Sequence, residues 1–182
     1  MALRISTKWK LKSPADLQAW GRRFSGVLKS GDVIALTGPL GAGKTTLVQG
    51  IAEGWGYKRG ANSPTFALAN EYKTPRGNVY HMDMYRLTDE ELARFPLEEY
   101  WGQGLCVVEW ADRVRRRWPA GSLDIVLSLK SPTERVLTIR QPSRPWQKRL
   151  APLASPLSPD GGRGISKRYS SPRRGEDKGE GH

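Results

Sequence analysis

The residues Gly38-Pro39-Leu40-Gly41-Ala42-Gly43-Lys44-Thr45 fit the pattern G-x-x-x-x-G-K-[ST] at every fixed position. They follow the apolar run Val33 to Leu36 and precede a helix-periodic stretch from Thr46 to Trp55. Strand, glycine loop and helix in that order make a phosphate-binding loop (P-loop). Its glycines let successive backbone N–H groups and the positive end of the helix converge on a phosphate chain. Lys44 is then placed for the β- and γ-phosphates and the Thr45 hydroxyl for Mg²⁺. An ordinary strand-to-helix turn with a solvated Lys44 is the competing reading, and the order of the flanking elements weighs against it. The expected ligand is a nucleoside triphosphate.

Such a site also needs a carboxylate near the metal, because one hydroxyl and two phosphates leave coordination positions to waters that must be oriented. Glu109 is the first choice: the apolar run Leu105 to Val108 ends abruptly in this acid, the arrangement of a Walker B strand. A surface glutamate ending a strand by chance has the same local sequence. Asp83, within His81-Met82-Asp83-Met84-Tyr85-Arg86-Leu87, either pairs with Arg86 or orients the attacking water. A lone strand histidine such as His81 is more often a packed, hydrogen-bonded residue than a catalyst. Ser63-Pro64-Thr65-Phe66 lies where many NTPases keep a loop that senses the γ-phosphate, which makes Ser63 and Thr65 switch candidates. A plain proline turn fits the same residues.

The elements that must position these groups alternate between helix and strand. Leu3 to Lys10 reads as a strand. Ser13 caps a helix with Pro14 at its first position and Leu17, Trp20, Phe24 and Leu28 on one face. Val33 to Thr37 is apolar throughout, as a strand covered on both faces should be. The runs 66–72 and 79–85 flank Thr74-Pro75-Arg76-Gly77-Asn78 and predict an antiparallel hairpin. Thr88-Asp89-Glu90-Glu91 opens a helix with a capping box, a second short helix includes Leu97 to Trp101, and Ala111 to Trp118 forms another. Leu123 to Leu129 and Arg135 to Ile139 complete the sheet. The expected fold is a single α/β P-loop NTPase domain over residues 1–140, with a mixed, mostly parallel sheet and a β-hairpin. In such a sheet ligands gather at the carboxyl ends of strands, where Lys44, Asp83 and Glu109 all fall.

A mean hydropathy of −0.59 and 37% hydrophobic residues are low for one 182-residue domain. From Gln141 onward the sequence turns to Pro, Ser, Gly and Arg, with nine Lys/Arg and four Asp/Glu, and 141–182 reads as a basic disordered tail. The formal charge of +12 suits a polyanionic partner and equally a solvated basic surface. The single Cys106 forbids an intramolecular disulfide and sits in an apolar run, the pattern of a buried thiol in a reducing interior. With no apolar stretch long enough for a bilayer and no signal segment within Met1 to Lys12, the chain is expected to be cytoplasmic, without membrane association.

Gly38 to Thr45, Ser63 to Phe66, His81 to Leu87 and Glu109-Trp110, in this order, resemble the TsaE (YjeE) family of bacterial P-loop ATPases, over about Ser13 to Arg140. The resemblance implies an accessory ATPase of the pathway that places a threonylcarbamoyl group on the adenosine beside the anticodon, in tRNAs reading codons that begin with A. It implies association with the TsaB and TsaD proteins, with tRNA engaged through that complex, and ATP hydrolysis that resets the complex between turnovers. Carried over by residue, Gly41, Ala42, Gly43, Lys44, Thr45 and Thr46 would wrap the phosphates of ATP. Thr45 and Glu109 would hold Mg²⁺, Lys44 and Asp83 would support hydrolysis, Trp110 would lie near the nucleotide and Thr65 in the switch loop. The family commonly has a threonine four residues before a glycine in its first helix, which helps frame the adenine; here the count back from Gly21 finds Leu17.

Two other readings fit the same residues. A small-molecule kinase would use Arg113, Arg115, Arg116 and Arg117 as a phosphate-clamping lid, although no acceptor-binding segment is evident. A nucleotide-gated module would grip tRNA with its basic surface. A GTPase is disfavoured by the lack of an Asn-Lys-x-Asp segment.

Overall fold

The computed structural model describes residues 8–61, 64 and 68–153. Seven strands form one sheet: β1 (Lys8–Leu11), β2 (Val33–Thr37), β3 (Ala69–Tyr72), β4 (Val79–Asp83), β5 (Leu105–Glu109), β6 (Leu123–Leu129) and β7 (Arg135–Arg140), in the spatial order β1-β7-β6-β2-β5-β4-β3. The four central strands β6, β2, β5 and β4 run parallel, and antiparallel pairs close both flanks: β1 and β7 on one side, the β3–β4 hairpin on the other. The parallel strands are buried on both faces, which is why β2 and β5 read as unbroken apolar runs.

Period-two alternation divides the core into two layers. Ile34, Leu36, Leu105 and Val107 pack beneath helices α1 (Pro14–Ser25) and α2 (Lys44–Trp55). Val33, Ala35, Cys106 and Val108 face the layer that holds Leu92 of α3 (Asp89–Arg94) and Leu97 of the 3-10 segment Leu97–Tyr100. The caps follow the sequence: the Ser13 hydroxyl accepts from the Asp16 N–H at 3.0 Å with Pro14 in the first turn, and Thr88 and Glu91 form a reciprocal capping box. The segment Ala111–Arg117 is a 3-10 helix kinked at Val114.

Helices α1 and α2 meet backbone to backbone. A Cβ added at Gly21 would lie 2.8 Å from the Leu47 carbonyl oxygen and 3.1 Å from Gly50 Cα, and one added at Gly54 would lie 2.7 Å from the Arg22 carbonyl oxygen. Glycine is required there by proximity, and the contact sets α1 directly against the helix that carries the P-loop.

Ordered structure continues beyond the expected boundary at Arg140. Helix α4 (Arg144–Leu150) buries Trp146 and Leu150, and Leu153 follows them into the core layer of α1 and α2. Trp146 Nε1 donates to the Gly121 carbonyl at 2.7 Å, and Arg149 donates to the Val27 carbonyl and pairs with Asp32. The start of the tail at Gln141 is therefore corrected, because three large apolar groups from 146 to 153 bury against the domain; residues 154–182 lie outside the described residues. No helix among the described residues is long and apolar enough to cross a membrane.

Candidate functional site

The site stands at the carboxyl ends of β2, β5 and β4. Register places Leu36 beside Glu109 and Asp83 beside Glu109, so the P-loop after β2 and both acids share one rim of the sheet. Gly43 caps α2 in the left-handed region, φ 97°, a conformation that turns the loop into the helix without a side chain in the way. The first-turn N–H groups of α2 have no partner within the helix, and its first residues Lys44, Thr45 and Thr46 line a cleft. That cleft has a volume of about 480 Å³, and Gly41, Gly43, Lys44, Thr45, Thr46 and Asp83 are among the residues on its walls. Ala42 is fully buried in the core instead. Leu17, the departure from the family pattern, packs under Gly43: a Cβ there would lie 2.5 Å from Leu17 Cδ2.

Lys44 is buried. Its Nζ donates to the carbonyls of Gly38 (2.9 Å) and Pro39 (3.0 Å) and lies 3.8 Å from the centroid of the Trp110 ring. Burial pushes the ammonium below the ordinary lysine value, and the carboxylates of Glu109, Asp83 and Asp112 act against that shift. Trp110 adopts φ 54°, uncommon for a large side chain, so the chain turns sharply after Glu109 and the indole comes to lie over Lys44. Tyr85 stacks on that indole with centroids 4.5 Å apart. The Asp83 carboxylate accepts from the Tyr85 N–H at 2.9 Å.

Glu109 is also buried, and each of its oxygens is engaged. Thr45 Oγ1 donates to Oε2 at 3.1 Å, and His81 Nε2 lies 2.8 Å from Oε1. The hydroxyl and the carboxylate are hard oxygen donors. Their 3.1 Å separation matches two neighbouring ligands of an octahedral ion, which at metal–oxygen distances of about 2.1 Å sit roughly 3 Å apart. No cluster of three or more His, Cys, Asp or Glu that could hold a metal occurs among the described residues. The pair therefore suits a small cation that keeps phosphate or water in its other positions.

The structure thus brings together Lys44, Thr45, Thr46, Asp83, Glu109 and Trp110, while Ser63 and Thr65 lie outside the described residues. His81, which a lone-histidine argument sets aside, is joined directly to Glu109 across two strands, a contact that no local sequence pattern signals. Tyr85 and its neighbour Arg86, which the sequence does not mark as site residues, both line the cleft.

Two arginines of the cluster, Arg113 and Arg117, are committed to the protein's own backbone and acids. Arg113 donates to the carbonyls of Met84 (2.7 Å), Tyr85 (3.1 Å) and Leu87 and to Asp89, while Arg117 holds the carbonyls of Leu92 and Phe95 and the Glu98 carboxylate. These two side chains staple residues 84–98 to the sheet end, and through Tyr85 they support the wall of the cleft.

A left-handed glycine loop on a central parallel strand, a lysine folded under it and an acid on the adjacent strand define a P-loop α/β protein. The family model of threonylcarbamoyl adenosine biosynthesis protein TsaE matches residues 11–137. The chain belongs to the TsaE family. It is 42% identical over 132 residues to the tRNA threonylcarbamoyladenosine biosynthesis protein TsaE of Bacillus subtilis, covering 72% of this chain and 83% of that protein. It is 37% identical over 130 residues to the TsaE protein of Treponema pallidum, covering 70% and 96%. The fold is similar to the crystal structure of Bacillus subtilis YdiB, with a TM-score of 0.67 and 33% identity over 84% of this chain and 97% of that one.

Proposed function

We propose that this protein is an Mg²⁺-dependent ATPase that serves threonylcarbamoyl modification of tRNA, at the adenosine next to the anticodon in tRNAs reading codons that begin with A. It acts as an accessory to a complex of TsaB and TsaD proteins, which ATP binding and hydrolysis reset between turnovers. The relatives' names supply the pathway. The observation that carries the chemistry is the 3.1 Å contact between Thr45 and Glu109 at the mouth of a P-loop.

In this reading the loop amides from Gly41 to Thr46 bind phosphate oxygens, and Lys44 exchanges the carbonyls of Gly38 and Pro39 for the β- and γ-phosphates. Thr45 and Glu109 hold the metal, which when bound neutralises charge that develops on the transferring phosphoryl group. Asp83, fixed by the Tyr85 N–H, orients the attacking water. The cleft opens to solvent with Arg86 on its wall, and in this reading turnover alone is slow and partners accelerate it.

The test is release of inorganic phosphate from ATP and GTP by the full chain, alone and with TsaB, TsaD and tRNA. Slow ATP-selective release with magnesium, stimulated by the two proteins, supports the reading. Transfer of phosphate to a small acceptor, or no calorimetric heat with any nucleotide and magnesium, refutes it.

A further inference from the structure

Both oxygens of Glu109 are held, but by different kinds of partner. Thr45 stands at the open cleft, whereas His81 is fully buried behind the carboxylate, and its ring continues into a chain of contacts leading away from the site. His81 Nδ1 lies 3.0 Å from the Tyr72 hydroxyl, and Asn70 Nδ2 donates to that same hydroxyl at 3.4 Å. Strand register builds the row: Asn70 opposes His81 across the hairpin, and His81 sits beside Val107, two residues before Glu109 on β5.

The direction of each bond follows from chemistry. An ionised carboxylate only accepts, so Nε2 carries the hydrogen; in a neutral ring Nδ1 is then an acceptor, which the Tyr72 hydroxyl satisfies. The hydroxyl is left with lone pairs for Asn70. In that arrangement the row donates to Oε1 through the Nε2–H of His81. With that oxygen occupied, the carboxylate cannot rotate, and Oε2 is the one left for Thr45 and the cleft.

We propose that His81 is a positioning residue, locked by Tyr72 in its Nε2–H tautomer, which fixes the Glu109 carboxylate so that a single oxygen faces the metal position beside Thr45. The proposal rests on the nucleotide reading above and names a residue that acts through Glu109 without touching the substrate. A buried carboxylate without this partner keeps its desolvation cost and loses its orientation.

Two amide substitutions separate position from polarity. In His81→Gln the amide nitrogen falls near the place of Nε2, and in His81→Asn near that of Nδ1, so only the glutamine can still donate to Glu109. With the full chain, the readout is the Mg²⁺ concentration giving half-maximal ATP binding, measured alongside ATP binding without metal. His81→Asn is expected to raise the Mg²⁺ requirement about 10–100-fold, the effect of losing a partner that orients a metal ligand, with metal-free affinity unchanged. His81→Gln should restore most of the loss, and Tyr72→Phe should shift the requirement in the same direction by less.

Wild-type behaviour in His81→Asn, or equal losses in both amides, overturns the proposal. A ¹⁵N spectrum of the wild-type protein decides independently of how the variants fold, because the chain has only two histidines. His81 should appear as the Nε2–H tautomer, and the Nδ1–H tautomer overturns the assignment. Wild-type ATP binding that ignores Mg²⁺ overturns the metal reading and the proposal together, whereas Mg²⁺-dependent binding that His81→Asn shares fully sinks the proposal alone.

Discussion

Replacing Gly21 by alanine places one methyl group into the contact between α1 and α2. The three atoms it meets are the Leu47 carbonyl oxygen at 2.8 Å, Gly50 Cα at 3.1 Å and the Ile51 nitrogen at 3.1 Å, all backbone of the P-loop helix. None can swing aside as a side-chain tip would, so the helices must separate by a few tenths of an ångström. Overpacking of this kind costs about 1–3 kcal/mol. Against it stands the gain from replacing glycine in a helix interior, up to about 1 kcal/mol. Mid-range values leave the steric cost ahead, with a net loss of about 1 kcal/mol, or a fall in Tm of roughly 2–4 °C for a domain of this size. The measurement is thermal unfolding beside Gly26→Ala, whose backbone has φ −65° and whose added Cβ would approach only the Arg23 carbonyl oxygen, at 3.3 Å. That control should stay within about 0.5 kcal/mol of wild type, as a substitution clear of special features does. A Gly21→Ala protein as stable as wild type would show that the two backbones are not in contact as described.

Three further outcomes are expected. Lys44→Ala should abolish ATP hydrolysis, and Glu109→Ala should weaken nucleotide binding in Mg²⁺ far more than without it; wild-type rates and affinities in both variants, by phosphate release and calorimetry, contradict the assignment. A chain ending at Arg140 loses buried Trp146, Leu150 and Leu153. At about 1.5–3 kcal/mol each for removal from water, its Tm should fall by more than about 10 °C, and an unchanged melting curve would show that α4 does not dock. Burial pushes the Cys106 thiol up to about 12, so alkylation should be negligible in the native protein and fast after denaturation, followed by mass spectrometry.

What could be read from the sequence depended on whether the physics was local. The P-loop, the Ser13 and Thr88 caps and the unbroken apolar strands β2 and β5 are local patterns, and each stands where its residues predict. Glu109 was legible because a charge ending a buried run has few structural explanations. Helix α4 was hidden by composition: prolines, serines and basic residues around 141–153 mask Trp146, Leu150 and Leu153, whose spacing of four and three is helical. Gly21, Gly50 and Gly54 pass as ordinary helix residues until two backbones are brought together, and the partner of His81 lies 28 residues away on another strand. Arg113 and Arg117 read as an exposed cluster because their acceptors are carbonyls, which carry no signature in sequence.

The edge strand β1 hydrogen-bonds to β7, Lys8 facing Thr138 and Leu11 facing Arg135. β1 precedes the other six described strands, so on the ribosome it waits, unpaired, while they are synthesised. The central parallel strands and the P-loop helix are all synthesised before it can join, so closure of this flank is expected late in biogenesis. Until β7 is made, β1 itself is an unpaired strand open to pairing with another chain, and a nascent protein stalled at that stage is exposed to aggregation.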